Sequence, residues 1–241
     1  MSPEARNTLW AVAVLVTAVS FGASSFVIPD FGGFDADQFP VPQEDPAVQP
    51  AGYAFAIWAV IYLWLLAGAA FGVLARADAP DWEEMRPYLV MSLAVGTSWL
   101  AVAKLSAFAA AILIWAMLIP ALLALFRAPL LDRWWARAPI GLYAGWLSAA
   151  SFVALGLVLA GWGVMGEVQA AILCLVLATA LASVIQVALE GVPEYGAAVV
   201  WALLAVAVNN LGGALFVVVL ALTGAAVVGL LALRAMTIPR A

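Results

Sequence analysis

Apolar positions along this chain gather into runs of about twenty residues separated by short polar breaks, a pattern that predicts membrane-spanning helices. The first run covers residues 8–28. Arg6 before it and the small Ala23-Ser24-Ser25 within it suggest a signal peptide. Its length exceeds a signal core of about 7–15 residues, however, so it is expected to be the first span. Residues 29–50 then form a polar loop with five prolines (Pro29, Pro40, Pro42, Pro46, Pro50) and five carboxylates (Asp30, Asp35, Asp37, Glu44, Asp45), without a Lys or Arg. Span two is expected over 51–75 and a charged loop over 76–86, with Pro87 in the first turn of span three. The apolar stretch 88–126 would make one helix of about 60 Å, twice the hydrocarbon thickness, so it must be two spans, 87–103 and 107–126, broken at Lys104-Leu105-Ser106. Spans five and six follow at 139–161 and 168–189. Asn209-Asn210-Leu211-Gly212-Gly213 divides 195–233 into spans seven and eight. Span seven is short, and a re-entrant or broken helix fits the same residues. The expected fold is all-α: a polytopic membrane bundle of eight transmembrane helices.

Composition agrees. Of 241 residues, 67% are hydrophobic and 10% charged, against roughly 45–50% and 25% in soluble domains. The net charge of −5 says less than its distribution. With a cytoplasmic N-terminus, Arg6, Arg76, Arg86, Arg127, Arg133, Arg137, Arg234 and Arg240 all fall inside and Lys104 alone outside, as the positive-inside rule requires. Both termini are then cytoplasmic, in a bacterial cytoplasmic membrane, and the loop 29–50 is external. Trp134 and Trp135 suit an interfacial aromatic belt. The chain has no His and one cysteine, Cys174, inside an apolar run. An intramolecular disulfide and a His haem or zinc ligand are therefore excluded. No internal repeat is evident, and nothing suggests a nucleic-acid partner.

Chemistry-bearing motifs are missing. There is no Gly-rich loop ahead of a Lys, no carboxylate pair within a span, and no nucleophile with a base, so neither an enzyme nor a resident cofactor is expected. The intramembrane polar residues are mild: Thr97, Ser98, Ser148, Ser151, Thr179, Ser183, Gln186 and Thr223. Hydrogen bonds within or between helices account for such groups. Glu167, Glu190 and Glu194 at span ends read as solvated carboxylates. Aromatic placement is the remaining signal. Phe55, Trp58 and Tyr62 stand at i, i+3 and i+7 on one helical face, and Tyr143, Trp146 and Ala150 repeat that spacing in span five. Trp99 lies in span three beside Ser98 and Gly96. These faces are either packing seams or walls of a pocket for a flat, mostly apolar ligand.

The residues resemble the TspO/MBR family, the tryptophan-rich sensory proteins related to the mitochondrial translocator protein. Pro50, Tyr53, Phe55, Trp58 and Tyr62 look like the block that opens the family's second helix. Trp99 is similar to the Trp near the end of its third helix, and Pro139, Tyr143, Trp146 and Ala150 to the start of its fifth. The resemblance covers residues 8–161, a five-helix bundle, and leaves 162–241 as three additional C-terminal transmembrane helices. It implies a tetrapyrrole or sterol-like ligand in a pocket closed by the first loop, with Tyr53, Phe55, Trp58, Tyr62, Trp99, Tyr143, Trp146 and Ala150 around it. Three departures stand out. The aromatic-to-Trp spacing in span two is one residue shorter, which turns the helix by about 100° relative to its start. Gly96 and Ala154 replace the family's Asn residues, and the absence of His leaves a tetrapyrrole without a His axial ligand.

The expected function is that of a membrane sensor or transport-related receptor for a hydrophobic planar molecule, porphyrin first. A secondary permease using Ser, Thr, Gln186 and Asn209-Asn210 as a polar path is the alternative, with a non-catalytic assembly protein as a third reading. Besides the bilayer and the ligand, Gly68 and Gly72, a small-xxx-small pair in span two, would allow a homodimer contact.

Overall fold

The computed structural model describes residues 3–28, 31–189 and 191–237, and every regular element among them is helical. Pro29, Asp30, Glu190 and Arg240, invoked above, lie outside the described residues. Helix α1 is Pro3–Val27. The acidic loop holds a 3₁₀ turn at Ala36–Gln38, and a second one, Gly52–Ala56, leads into α2, Ile57–Ala75. A single turn α3, Pro80–Glu83, precedes α4, Arg86–Leu105, α5, Ala107–Arg127, and α6, Arg137–Gly161. Helices α7, Glu167–Ala188, α8, Pro193–Asn209, and α9, Leu215–Thr237, complete the bundle. Among the described residues, seven helical segments are long and apolar enough to cross a membrane, and α8 is a shorter apolar helix.

The expected break between spans three and four is a one-residue corner. Ser106 is extended (φ −158°, ψ 111°), which ends α4, and its Oγ accepts from Ala109 N at 3.2 Å, which caps α5. A hydroxyl at this position satisfies one of the four free N–H groups of the new helix.

Helix α8 is continuous rather than broken or re-entrant. At one end Glu194 pairs with Arg133 in the α5–α6 loop. At the other, Asn210 Nδ2 donates 2.9 Å to Ala47 O in the loop after α1. Seventeen residues rise about 25 Å, so α8 runs nearly the full height of the bundle. The bundle accordingly has two polar ends. One carries the acidic loop, the α4–α5 corner with Lys104, and the turns after α6 and α8. The other carries Arg6, which pairs with Glu83, and Arg76, whose Nε donates 2.7 Å to Asp132. Arg86 also belongs to the second end. It is 1% exposed and donates to the carbonyl oxygens of Asn7 at 3.1 Å and Ala77 at 2.9 Å and of Arg76, tying α1, the α2–α3 turn and α4 together.

Helix α6 is the axis of the molecule, packing on α2 and α5 on one side and α7 and α8 on the other. Its buried positions include four glycines, Gly141, Gly145, Gly156 and Gly161. A Cβ on Gly145 would lie 2.2 Å from Tyr195 O, so glycine lets α6 and α8 meet backbone to backbone. The close contact expected of Gly68 and Gly72 is made inside the chain. A Cβ on Gly68 would lie 2.1 Å from Trp135 O, and one on Gly72 would lie 3.0 Å from the Trp82 ring.

Candidate functional site

Under the loop 31–51, two apolar chambers open among the helices. The larger, about 220 Å³, lies between α1, α2, α4 and α5, with Phe21, Trp58, Tyr62, Leu100 and Met117 in its walls. The smaller, about 50 Å³, reaches α6 at Trp146, Ala150 and Ala154, and is completed by Gln49 of the loop and Ala202 of α8. Phe31, Phe55, Trp99 and Ile114 line both, so the chambers are two lobes of one site.

Six of the eight residues singled out from the sequence line these lobes: Phe55, Trp58, Tyr62, Trp99, Trp146 and Ala150. Trp58 and Tyr62 stack at 5.3 Å and 18°, one turn apart in α2, while Phe55 belongs to the 3₁₀ turn that precedes it. Trp146 of α6 meets Phe55 and Trp58 edge to face at 6.1 and 6.0 Å, so the aromatic faces of the two helices are in contact.

Tyr53 and Tyr143 are placed elsewhere. Residues 52–56 form a 3₁₀ turn, in which each residue advances about 120° instead of about 100°. Tyr53 is thrown outward, 48% exposed, with its ring edge-on to Trp201 of α8 at 5.5 Å. Tyr143 is fully buried behind the wall. Its hydroxyl meets Ser92 Oγ at 2.8 Å, and its ring backs onto Phe21 at 5.8 Å.

The electrostatics are those of an apolar slot. Among the described residues no charged side chain lines either lobe. Trp99 spends its indole N–H on Ala110 O at 3.0 Å, across the α4–α5 corner, and offers only its ring faces. Trp146, 2% exposed, keeps a buried Nε1–H with no acceptor in the described structure, a donor left free at a cost of about 1–3 kcal/mol. The positions of Gly96 and Ala154 are filled differently. A Cβ on Gly96 would lie 2.7 Å from the Phe21 ring, so that ring occupies the space of a side chain. Ala154 simply leaves an apolar wall.

The loop 31–51 is laced over the site. Gln38 Nε2 donates to Ala103 O at 2.9 Å, Val41 N to Gly161 O at 2.8 Å, Ala47 N to Glu167 Oε1 at 2.7 Å, and Ala51 N to Ala205 O at 3.1 Å. Two glycines of α6 receive its side chains: a Cβ on Gly156 would lie 2.9 Å from Val48, and one on Gly161 would lie 2.2 Å from Phe39. Glu167 and Glu194, expected to be merely solvated, are thus a loop anchor and an ion-pair partner of Arg133.

Sequence reasoning missed Phe21, Phe31, Ile114, Met117 and Ala202 in the walls. Phe21, Ile114 and Met117 sit in uniformly apolar runs, where nothing distinguishes a wall residue from a lipid-facing one. Phe31 carried a signal, as an aromatic in an otherwise polar loop. Of the polar residues in the permease reading, the Ser151 and Ser183 hydroxyls are buried with no hydrogen-bond partner among the described residues, while others are engaged within the bundle. Gln186 accepts from Gly196 N at 2.8 Å and donates to Val192 O at 3.3 Å, Ser148 accepts from Tyr195 Oη at 2.9 Å, and Asn210 holds Ala47 O and Val206 O.

No curated protein and no solved structure gives a significant match to the chain. The profile of the family described as TSPO-like protein matches residues 41–234. That match takes in the aromatic entrance to α2 and continues through α7 and α8 into α9, well past residue 161, where the resemblance read from the sequence stopped. Covering most of the chain, it shows that this membrane-helix bundle belongs to the TSPO-like protein family.

Proposed function

We propose that this protein is a TspO-type membrane receptor that binds a flat, mostly apolar small molecule in the two-lobed site beneath the loop 31–51, without catalysing its conversion. One observation carries the reading: aromatic residues of α1, α2, α4 and α6 and of the loop converge on one apolar cavity. Stacking surfaces around an apolar slot favour planar π-systems over flexible chains, and a tetrapyrrole is the ligand class proposed first.

Size refines this. The lobes together fall below the roughly 300–1,000 Å³ of drug-sized pockets. A tetrapyrrole therefore requires the loop aromatics Phe31 and Phe34 to move, and the reading includes that opening. Titration of the purified protein with protoporphyrin IX tests it. Saturable quenching of tryptophan fluorescence is expected, and unchanged emission with no saturable binding overturns it. The orientation with both termini cytoplasmic is part of the proposal. It is supported by the gathering of Arg6, Arg76, Arg86 and Arg133 at the end opposite the acidic loop.

A further inference from the structure

Lys104 stands apart from the other cations among the described residues. It lies in the last turn of α4 at the acidic end of the bundle, while the ion pairs of the described residues, Arg6–Glu83, Arg76–Asp132 and Arg133–Glu194, all lie at the other end. Among the described residues it has no carboxylate partner, although Gln38 is bonded to neighbouring Ala103 O at 2.9 Å and brings the Asp35–Asp37 turn close by. Instead its ammonium sits 5.9 Å from the ring centre of Phe31. Phe31 is one of the four residues common to both lobes, and Leu100, one helical turn before Lys104, lines the larger lobe. A cation therefore stands behind the aromatic roof of a cavity whose described lining has no charge.

We infer that Lys104 is a specificity-determining residue, and that the natural ligand is a planar apolar molecule bearing an acidic group at one edge. The inference rests on the binding reading above and adds the ligand's charge to it. The apolar lobes can hold the ring system, but a carboxylate left among them would be desolvated without a partner. Displacing Phe31 exposes the rim, and the Lys104 ammonium is the counter-charge met there. Its long stem allows it to follow the acid group while the charge stays in water. A helix C-terminus also favours a cation in its last turn. That interaction is independent of ligand, so the two roles separate experimentally.

The test compares protoporphyrin IX with its dimethyl ester, on wild type, Lys104→Met, Lys104→Glu and Arg127→Met. The acid-to-ester affinity ratio of each variant is divided by that of wild type, which cancels partition of the probes into detergent. Lys104→Met is expected to lower the ratio about three- to fivefold, the size of an exposed ion pair. Lys104→Glu should lower it further, Arg127→Met at the opposite end should leave it unchanged, and added salt should shrink the wild-type preference. Saturable binding of both probes with the same ratio in wild type and Lys104→Met overturns the role of Lys104 and leaves the pocket standing. Absence of saturable binding for acid and ester alike overturns the pocket itself.

Discussion

Trp201 of α8 donates its indole N–H to the carbonyl oxygen of Ala54, 2.9 Å away and 147 residues earlier in the chain. Ala54 lies in the 3₁₀ turn that aims Phe55 and Trp58 at the cavity. With Ala51 N bonded to Ala205 O and Ala202 in the smaller lobe, α8 both shapes the entrance of α2 and walls the site. Trp201→Phe keeps the ring against Tyr53 and removes only the donor. It is expected to cost about 1 kcal/mol in unfolding free energy and to weaken porphyrin binding by up to about fivefold, whereas Trp201→Ala should lose more of both. Thermal unfolding in detergent and fluorescence titration check the pair.

The two tryptophans of the facing walls should matter most for a stacked ligand. Trp58→Ala and Trp146→Ala are each expected to weaken porphyrin binding about tenfold, while Trp134→Ala, 60% exposed at the other end, changes it little; the scale is about 1–3 kcal/mol per lost aromatic stacking contact. Trp82 is unsuitable as the control, because it is 2% exposed and donates 2.9 Å to Asp132. Equal losses at Trp58, Trp146 and Trp134 in a fluorescence-independent binding assay would show that the effect is not local to the site.

The α6 glycines test the loop as a lid. Gly156→Ala would set a methyl 2.9 Å from Val48, and Gly161→Ala one 2.2 Å from Phe39. Both are expected to push residues 39–48 off the bundle at a cost of about 1–3 kcal/mol, seen as faster amide exchange in the loop and faster ligand release. Gly212→Ala, with nothing within 4 Å of its Cβ, should be neutral in both measurements.

Asp132 supplies the pH dependence of the opposite end. Burial works to raise its carboxyl, but hydrogen bonds from Arg76 and Trp82 and the Arg76 charge outweigh that and hold it below the ordinary carboxylate range. Because the folded value lies below the unfolded one of about 3.9, its stabilisation is complete above that pH and fades as pH falls through the folded value. Asp132→Asn is expected to destabilise the protein by about 1–3 kcal/mol at pH 7. The gap to wild type should stay constant down to about pH 5 and close below about pH 4, as read from thermal unfolding midpoints.

The legible part of this protein is its one-dimensional pattern. Corner Ser106 and break Asn209–Gly213 announced themselves because a lipid-spanning helix must stop near 20 residues, and each carries a residue that stops it. The aromatic face of α2 was legible because α-helical periodicity is local. Tyr53 escaped the same argument, since its backbone is 3₁₀, and nothing in its immediate sequence marks the change from 100° to 120° per residue. Lys104 was visible as the one cation on the wrong side, yet its place above Phe31 required the loop to fold back.

By itself, then, the chain's pattern of apolar runs and charges determined the class, the places where the helices break, the two polar ends and most of the aromatic wall, because hydrophobic thickness and helical period act within one segment. Tertiary structure alone decided that α8 clasps the entrance of α2, that the acidic loop is pinned by Ala103, Gly161, Glu167 and Asn210, and that the chambers meet at Phe31. These contacts join residues up to 163 positions apart. In a chain this uniformly apolar, a lipid-facing Leu and a cavity-facing one carry the same signature, and only the packing of helices against one another tells them apart.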